Sequence, residues 1–248
     1  MTPDPTHIGG EKFWPLSVEQ RDAFREAAIE ANSALEKLTG LTLVHTGLRS
    51  AEFHHMRRSW LEYDDEGEPR IVVPREEICT GGSGATGEDN ASGANLHERG
   101  EPCFRCRDST PDWVGAYKNR EQGKDFHDPQ KWFPKTFSSG ARPLPLNSLD
   151  ESGETTDMLE WWFDGNKQIP LTHASVNRKI RRIADRAGID RKVTAHDLRN
   201  TFATDLARNS VDRRHTAELM GHASTDATDP YYKFVGEDLK SELRDKLG

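Results

Sequence analysis

Apolar residues recur at helical spacing soon after the start of the chain. Phe24, Ala27, Ala28, Ala31, Leu35 and Leu38 fit one face, Ser17 and Gln20 form a capping box, and Gly40 stands where a helix would end. One helix is therefore predicted over about 17–40, followed by Gly47-Leu48-Arg49 and a short helix near 52–57. Strand-like segments at 60–63 and 70–73 flank a turn-like acidic stretch. Gly140 and the alternation Arg142-Pro143-Leu144-Pro145-Leu146 predict a β-hairpin, which the two prolines confine to a sheet edge. The helical period then returns. Val176, Ile180, Ile183, Ala184 and Ala187 make a stripe, with Arg178, Lys179, Arg181, Arg182 and Arg186 on other faces and Gly188 at the end. Thr194 caps a helix carrying Leu198, Phe202 and Leu206, and a further helix runs from about Asp212 to Gly221.

Two stretches have no such period. Residues 1–15 are rich in Pro and Gly and read as a flexible N-terminal arm, and about 75–130 is a polar insertion rich in Gly, Ser, Asn and charge. The expectation is a mixed α+β fold, mostly helical with a small antiparallel β-sheet, in one domain over 16–248. No apolar run approaches the roughly 20 residues of a membrane span, and the N-terminus has no signal-peptide pattern, so a cytoplasmic location is expected.

The formal net charge is −8. That opposes nucleic-acid binding if spread evenly, but it is not: 174–218 holds 11 Lys and Arg against six Asp and Glu. Arg outnumbers Lys, 22 to 12, and the acid-rich, Arg-over-Lys balance resembles that of salt-adapted proteins; an ordinary acidic mesophile protein is the alternative. Three cysteines cannot complete a disulfide framework. Cys103-Phe104-Arg105-Cys106 has zinc-knuckle spacing, with Cys79 and His97 as candidate third and fourth ligands of a structural zinc; unligated thiols are the alternative.

The densest chemistry lies near the C-terminus. His196 and Arg199 are three apart on one helix, presenting a proton carrier beside a guanidinium whose planar fork suits a phosphodiester. Gly221 turns the chain to re-aim His222, and Tyr231 follows His222 by nine residues, with Tyr232 as its competitor. Upstream stand Thr46-Gly47-Leu48-Arg49-Ser50-Ala51-Glu52 and Pro134-Lys135-Thr136. Together these boxes, in this order, resemble the tyrosine recombinases of the phage integrase family, in an archaeal-type catalytic domain.

The resemblance implies that Tyr231 attacks a phosphate of double-stranded DNA and forms a 3′-phosphotyrosyl link. Arg49 and Arg199 would stabilise the phosphorane, His196 would manage the tyrosine proton, Lys135 would protonate the leaving 5′-oxygen, and His222 would hydrogen-bond the phosphate. Lys131 is the alternative to Lys135. No cofactor is implied for cleavage. Assembly as a homo-oligomer, a tetramer on paired sites, is implied, with no membrane partner. The stretch ahead of Arg49 is expected to be too short for the N-terminal DNA-clamping domain that many members carry. Relaxation of the type IB topoisomerase kind, or a catalytically silent DNA-binding protein, remain alternatives.

The composition predicts that the melting temperature rises with salt, as carboxylate repulsion is screened. DNA affinity should fall over the same series, in proportion to the phosphates neutralised. A melting temperature that stays flat or falls removes the salt-adaptation reading.

Overall fold

Two helices, α1 (Val18–Ile29) and α2 (Ala34–Thr46), stand where one was expected. The computed structural model describes residues 6–8, 11–79, 103, 106 and 131–247. Helix α1 starts as predicted, with Ser17 and Gln20 closing a reciprocal capping box. The break at 30–33 lets α1 fold back onto α2. Gly40 is not a cap but lies inside α2, at a close approach between helices: a Cβ there would sit 2.6 Å from Ala28 Cβ and 2.9 Å from Ile183 Cδ1. Gly47, at φ 58°, ends the helix instead.

Nearly every side of α2 is buried, from Leu38 through Val44. Thr39 and Thr46 are tolerated there because each donates a hydroxyl hydrogen to the carbonyl four residues back, at 2.5 Å. Helix α3 (Ser50–His55) follows at once.

Within the expected arm, β1 (Thr6–Ile8) pairs antiparallel with β2 (Glu11–Phe13), and Phe13 is buried. The expected strands form as β3 (Leu61–Tyr63) and β4 (Pro69–Val73). Glu77–Ile78 (β5), inside the start of the expected insertion, pairs with Lys131–Trp132 (β6) just after it; most of the insertion lies outside the described residues. The expected hairpin at 140–146 does not form. Its strand, β7 (Arg142–Pro145), pairs antiparallel with β4 across a long sequence separation and makes the edge of the sheet β3-β4-β7. Arg142 and Leu144 face inward while Pro143 and Pro145 are exposed. The prolines do confine the strand to an edge, as their missing N–H groups require.

A short α4 (Leu146–Leu149) leads to α5 (Glu154–Gly165), whose buried Leu159, Trp162 and Phe163 keep a helical spacing that the sequence reading passes over. The basic stripe becomes α6 (His173–Arg186), with Val176, Ile180, Ile183 and Ala184 buried. Arg182 and Arg186 of α6 hold the buried Glu36 of α2 at 3.0 and 3.2 Å. Helix α7 (Ala195–Arg208) is capped by Thr194 and Asp197, and α8 (Arg213–Met220) ends at Gly221 with φ 60°. The last helix, α9 (Asp229–Leu247), begins in regular geometry despite Pro230. Proline is harmless at the second position of a helix, where its missing N–H would have no partner. No helix among the described residues is long and apolar enough to cross a membrane.

The glycines give a direct test of the packing. Gly40→Ala should lower unfolding stability by about 1–3 kcal/mol, because the methyl has no room. Gly236→Ala, in a part of α9 where a Cβ meets nothing within 4 Å, should raise it by up to about 1 kcal/mol. Urea denaturation distinguishes them; similar gains in both would mean that α1 and α2 are not in close contact at Gly40.

Candidate active site

Two helix ends and one strand deliver the site. Gly47 closes α2 and places Arg49 at the start of α3, with Glu52 one turn on. Gly221 closes α8 and turns the chain to His222. Strand β7 brings Arg142 in from beside β4. Both glycines are needed twice over. Their positive φ excludes side chains, and a Cβ would meet Phe202 at 2.3 Å from Gly47, or the Arg142 guanidinium at 2.7 Å from Gly221.

Glu52 is the centre of the charge arrangement. It is almost fully buried and accepts hydrogen bonds from Arg49 Nη1 (2.8 Å) and from both terminal nitrogens of Arg142 (3.1 and 3.0 Å). Burial alone would raise its pKa, but Arg142, Arg49 and Arg199 outweigh it and hold the carboxyl far below the usual carboxylate range. The guanidiniums also cover helix-end carbonyls that have no partner within their helix. Arg49 donates to Gly221 O (3.1 Å) and Arg142 to Leu219 O (2.6 Å). Arg199 donates to Gly47 O (2.6 Å) and to Met220 O. Three cations thus face one carboxylate.

His222 and Tyr231 complete the cluster. Their rings stack at 6.3 Å with 12° between planes. Burial, and then the charges of Arg199, Arg49 and Arg142, push the His222 pKa down to about 3, so its imidazole is neutral near pH 7. Its Nδ1 is buried with no hydrogen-bond partner among the described residues. Tyr231 is buried, packed against Phe13 at 5.6 Å, and its hydroxyl donates to Asn200 Oδ1 at 3.4 Å. Tyr232 points away. Its hydroxyl meets Thr216 Oγ1 (2.8 Å) and Val211 O, and Arg213 lies over its ring.

The structure therefore gathers Arg49, Arg199, His222 and Tyr231. His196 is exposed at the second position of α7, three residues ahead of Arg199. Lys135 is exposed in a turn that the next residue ties to the site, since Thr136 Oγ1 donates to Gly221 O at 2.7 Å. Lys131 is instead paired with Glu76 at 2.7 Å. The sequence reading missed Arg142 and Asn200. The available signal was a lone arginine opening a proline-rich strand, and an amide next to Arg199.

A second group lies at the far end of α3. His55 Nε2 and the Sγ atoms of Cys79, Cys103 and Cys106 lie within 4.8 Å of one another, an arrangement compatible with a metal ion. His97, the expected fourth ligand, lies outside the described residues, and His55 was not anticipated.

Residues 134–235 match the phage integrase family model. Over these residues, less than half of the chain, the sequence is similar to the phage integrase family. The matched range holds Lys135, Arg142, His196, Arg199, His222 and Tyr231; Arg49 lies ahead of it and joins the site through the fold. A tyrosine recombinase XerC of Listeria welshimeri is 43% identical over 72 residues, covering 29% of this chain and 24% of the relative. A XerD of Corynebacterium glutamicum is 33% identical over 75 residues, covering 30% and 25%. The matches thus span about a quarter of these relatives' length. Among solved structures, the XerA recombinase aligns over 100% of this chain and 67% of its own, with TM-score 0.55 and 20% identity. The Tn1549 transposon integrase in complex with transposon right end DNA aligns over 92% and 63%, with TM-score 0.54 and 16% identity. The chain thus has the tyrosine recombinase catalytic fold.

The buried charges predict a two-stage loss of stability in acid. His222 has a depressed folded pKa, so its contribution is complete above about pH 6.5 and declines as the unfolded chain takes up the proton below that. Glu52 adds a second decline below about pH 4.3, for the same reason. In urea unfolding across pH, His222→Asn should flatten the upper stage. Glu52→Gln should cost about 3–5 kcal/mol near pH 7, by stranding buried guanidiniums, and flatten the lower stage. Parallel pH profiles for wild type and both variants would refute this electrostatic picture.

Proposed function

We propose that this chain cuts and rejoins double-stranded DNA as a site-specific tyrosine recombinase, with Tyr231 as nucleophile. The observation that carries the reading is the buried charge imbalance beside that tyrosine. Arg49, Arg142 and Arg199 face Glu52 alone, which leaves two positive charges around the stacked His222 and Tyr231 rings. Burial and the charge of Arg49 lower the Arg199 pKa from arginine's ordinary value, so the cation is held at a cost that an incoming phosphodiester would relieve. Each guanidinium has five N–H donors, and the carbonyl and carboxylate bonds of Arg49 and Arg199 leave donors for phosphate oxygens.

A phenol is neutral near pH 7 and must lose its proton to attack. The Tyr231 oxygen would bond to phosphorus while its proton passes to His196, and the P–O bond to the 5′-oxygen breaks. Lys135, in its exposed turn, would protonate that oxygen. The two arginines meet the charge that develops on the phosphorane, and neutral His222 donates a hydrogen bond to it. A 5′-hydroxyl of another strand then attacks the phosphotyrosyl ester and restores Tyr231. The bond energy stays in the ester, so the cycle needs no external energy source.

The domain reading is one catalytic unit over 16–248, interrupted by the insertion at about 75–130. DNA as partner is supported by the fold shared with an integrase solved on transposon DNA and by the basic balance of 174–218. A homotetramer on paired sites in the cytoplasm completes the reading.

The test is covalent capture on a nicked suicide substrate, with two-site recombination and plasmid relaxation assayed in parallel. Tyr231→Phe should abolish the protein–DNA adduct and leave non-covalent binding nearly unchanged, while Tyr232→Phe still forms it. An adduct retained in Tyr231→Phe and lost in Tyr232→Phe would reverse the assignment, and relaxation without recombination would point to a topoisomerase.

A further inference from the structure

We infer that His55, Cys79, Cys103 and Cys106 hold one zinc ion in a closed structural site that clips Cys79 and the Cys103–Cys106 knuckle to the helix bearing Arg49 and Glu52. The distances support it first. His55 Nε2 stands 3.4 Å from Cys79 Sγ, 3.7 Å from Cys103 Sγ and 3.6 Å from Cys106 Sγ. A tetrahedral zinc, with Zn–N of about 2.0–2.1 Å and Zn–S of about 2.3 Å, sets nitrogen and sulfur about 3.6 Å apart. The three nitrogen–sulfur distances therefore match the spacing that one ion would impose, and all four donors lie within 4.8 Å of one another.

The surrounding hydrogen bonds fit the same assignment. His55 Nδ1 is 2.7 Å from Ala51 O. Donation there puts the ring proton on Nδ1 and turns the Nε2 lone pair toward the sulfurs, the usual support for a metal-bound histidine. The Cys103 backbone N–H donates to Cys79 Sγ at 3.2 Å, and that of Cys106 to Cys103 O at 2.9 Å. All three cysteines are free of disulfides.

Burial and donor type specify the role and the metal. His55, Cys79 and Cys106 are buried, and Trp132 stacks on the His55 ring at 5.1 Å, with Trp60 packed behind it. All four donors come from protein, which leaves a tetrahedral ion no position for substrate; that is the pattern of structural sites. Three sulfurs and one imidazole favour zinc over the oxygen-seeking magnesium and calcium.

Placement gives the site its consequence. Helix α3 has six residues, far too few to be stable alone. Its first turn is held by Glu52 and the arginines, and its last residue is His55. The ion would fix the end that the charge cluster does not reach.

The test measures metal first. The full chain, purified without chelator, should carry about one zinc by elemental analysis. Exchange with cobalt(II) should give thiolate-to-cobalt charge-transfer bands and the visible bands of a tetrahedral ion. Cys106→Ser and His55→Ala should lose most of the zinc, His55→Cys should keep it, and His97→Ala should keep all of it. A chelator should lower the wild-type melting temperature and leave that of Cys106→Ser unchanged. Protein with no zinc and no cobalt spectrum overturns the site, even if the variants cannot be purified. Zinc kept in His55→Ala or lost in His97→Ala overturns the ligand set. Protein that purifies without zinc, gives no cobalt spectrum and still forms the Tyr231 adduct refutes the zinc site and leaves the recombinase reading standing.

Discussion

One buried carboxylate determines how the rest of the site can be arranged. Glu52 lies between Arg49 and Arg142, and its bonds to both fix where a helix start and a sheet edge meet. Buried cations are stable only where anions and oriented carbonyls surround them. The carbonyls come from the ends of α2 and α8, the negative poles of those helices. Both helices must therefore stop at their glycines and point their last carbonyls at the same small volume. The fold can be read as the scaffold that makes this convergence possible: α2 runs through the core, α7 lies against it, and β7 comes in from the side.

Placement of the tyrosine depends on a separate, mostly apolar contact. Phe13, Phe202, Ala203, Ala207, Met220 and Tyr231 form a small core between α7 and α9. Met220 belongs to α8, so the helix whose end carbonyls receive the arginines also contributes to the apolar cluster that holds Tyr231. Apolar packing and polar convergence are linked through that helix, and disturbance of one should be felt by the other.

Local features were legible in the sequence and long-range ones were not. The caps at Ser17 and Thr194, the stripe of α6 and the stop at Gly221 are written in neighbouring residues, and each forms as read. The break between α1 and α2 was hidden because Ala31 and Leu35 keep the helical period across it. Gly40 resembled a cap until its tertiary neighbours, Ala28 and Ile183, were known. Arg142 enters the site only through the pairing of β7 with β4, which no local pattern announces. His55 was missed because the search for a fourth ligand stayed inside the insertion and took His97, which lies between Cys79 and Cys103, whereas the imidazole that meets the three sulfurs lies on α3, ahead of the insertion. Arg49, His222 and Tyr231 were found because their motifs have fixed spacings; Asn200 has none.

The prolines of β7 affect more than the site. Two of the four residues in this edge strand have no N–H. An exposed sheet edge invites another strand to add to it, from a second copy or from a partly unfolded neighbour, and that addition needs a row of donors. Here Pro143 and Pro145 alternate along the strand and so share the side turned away from β4, where the donors would have to be. Copies crowded together at high local concentration would find little to zip onto along this edge.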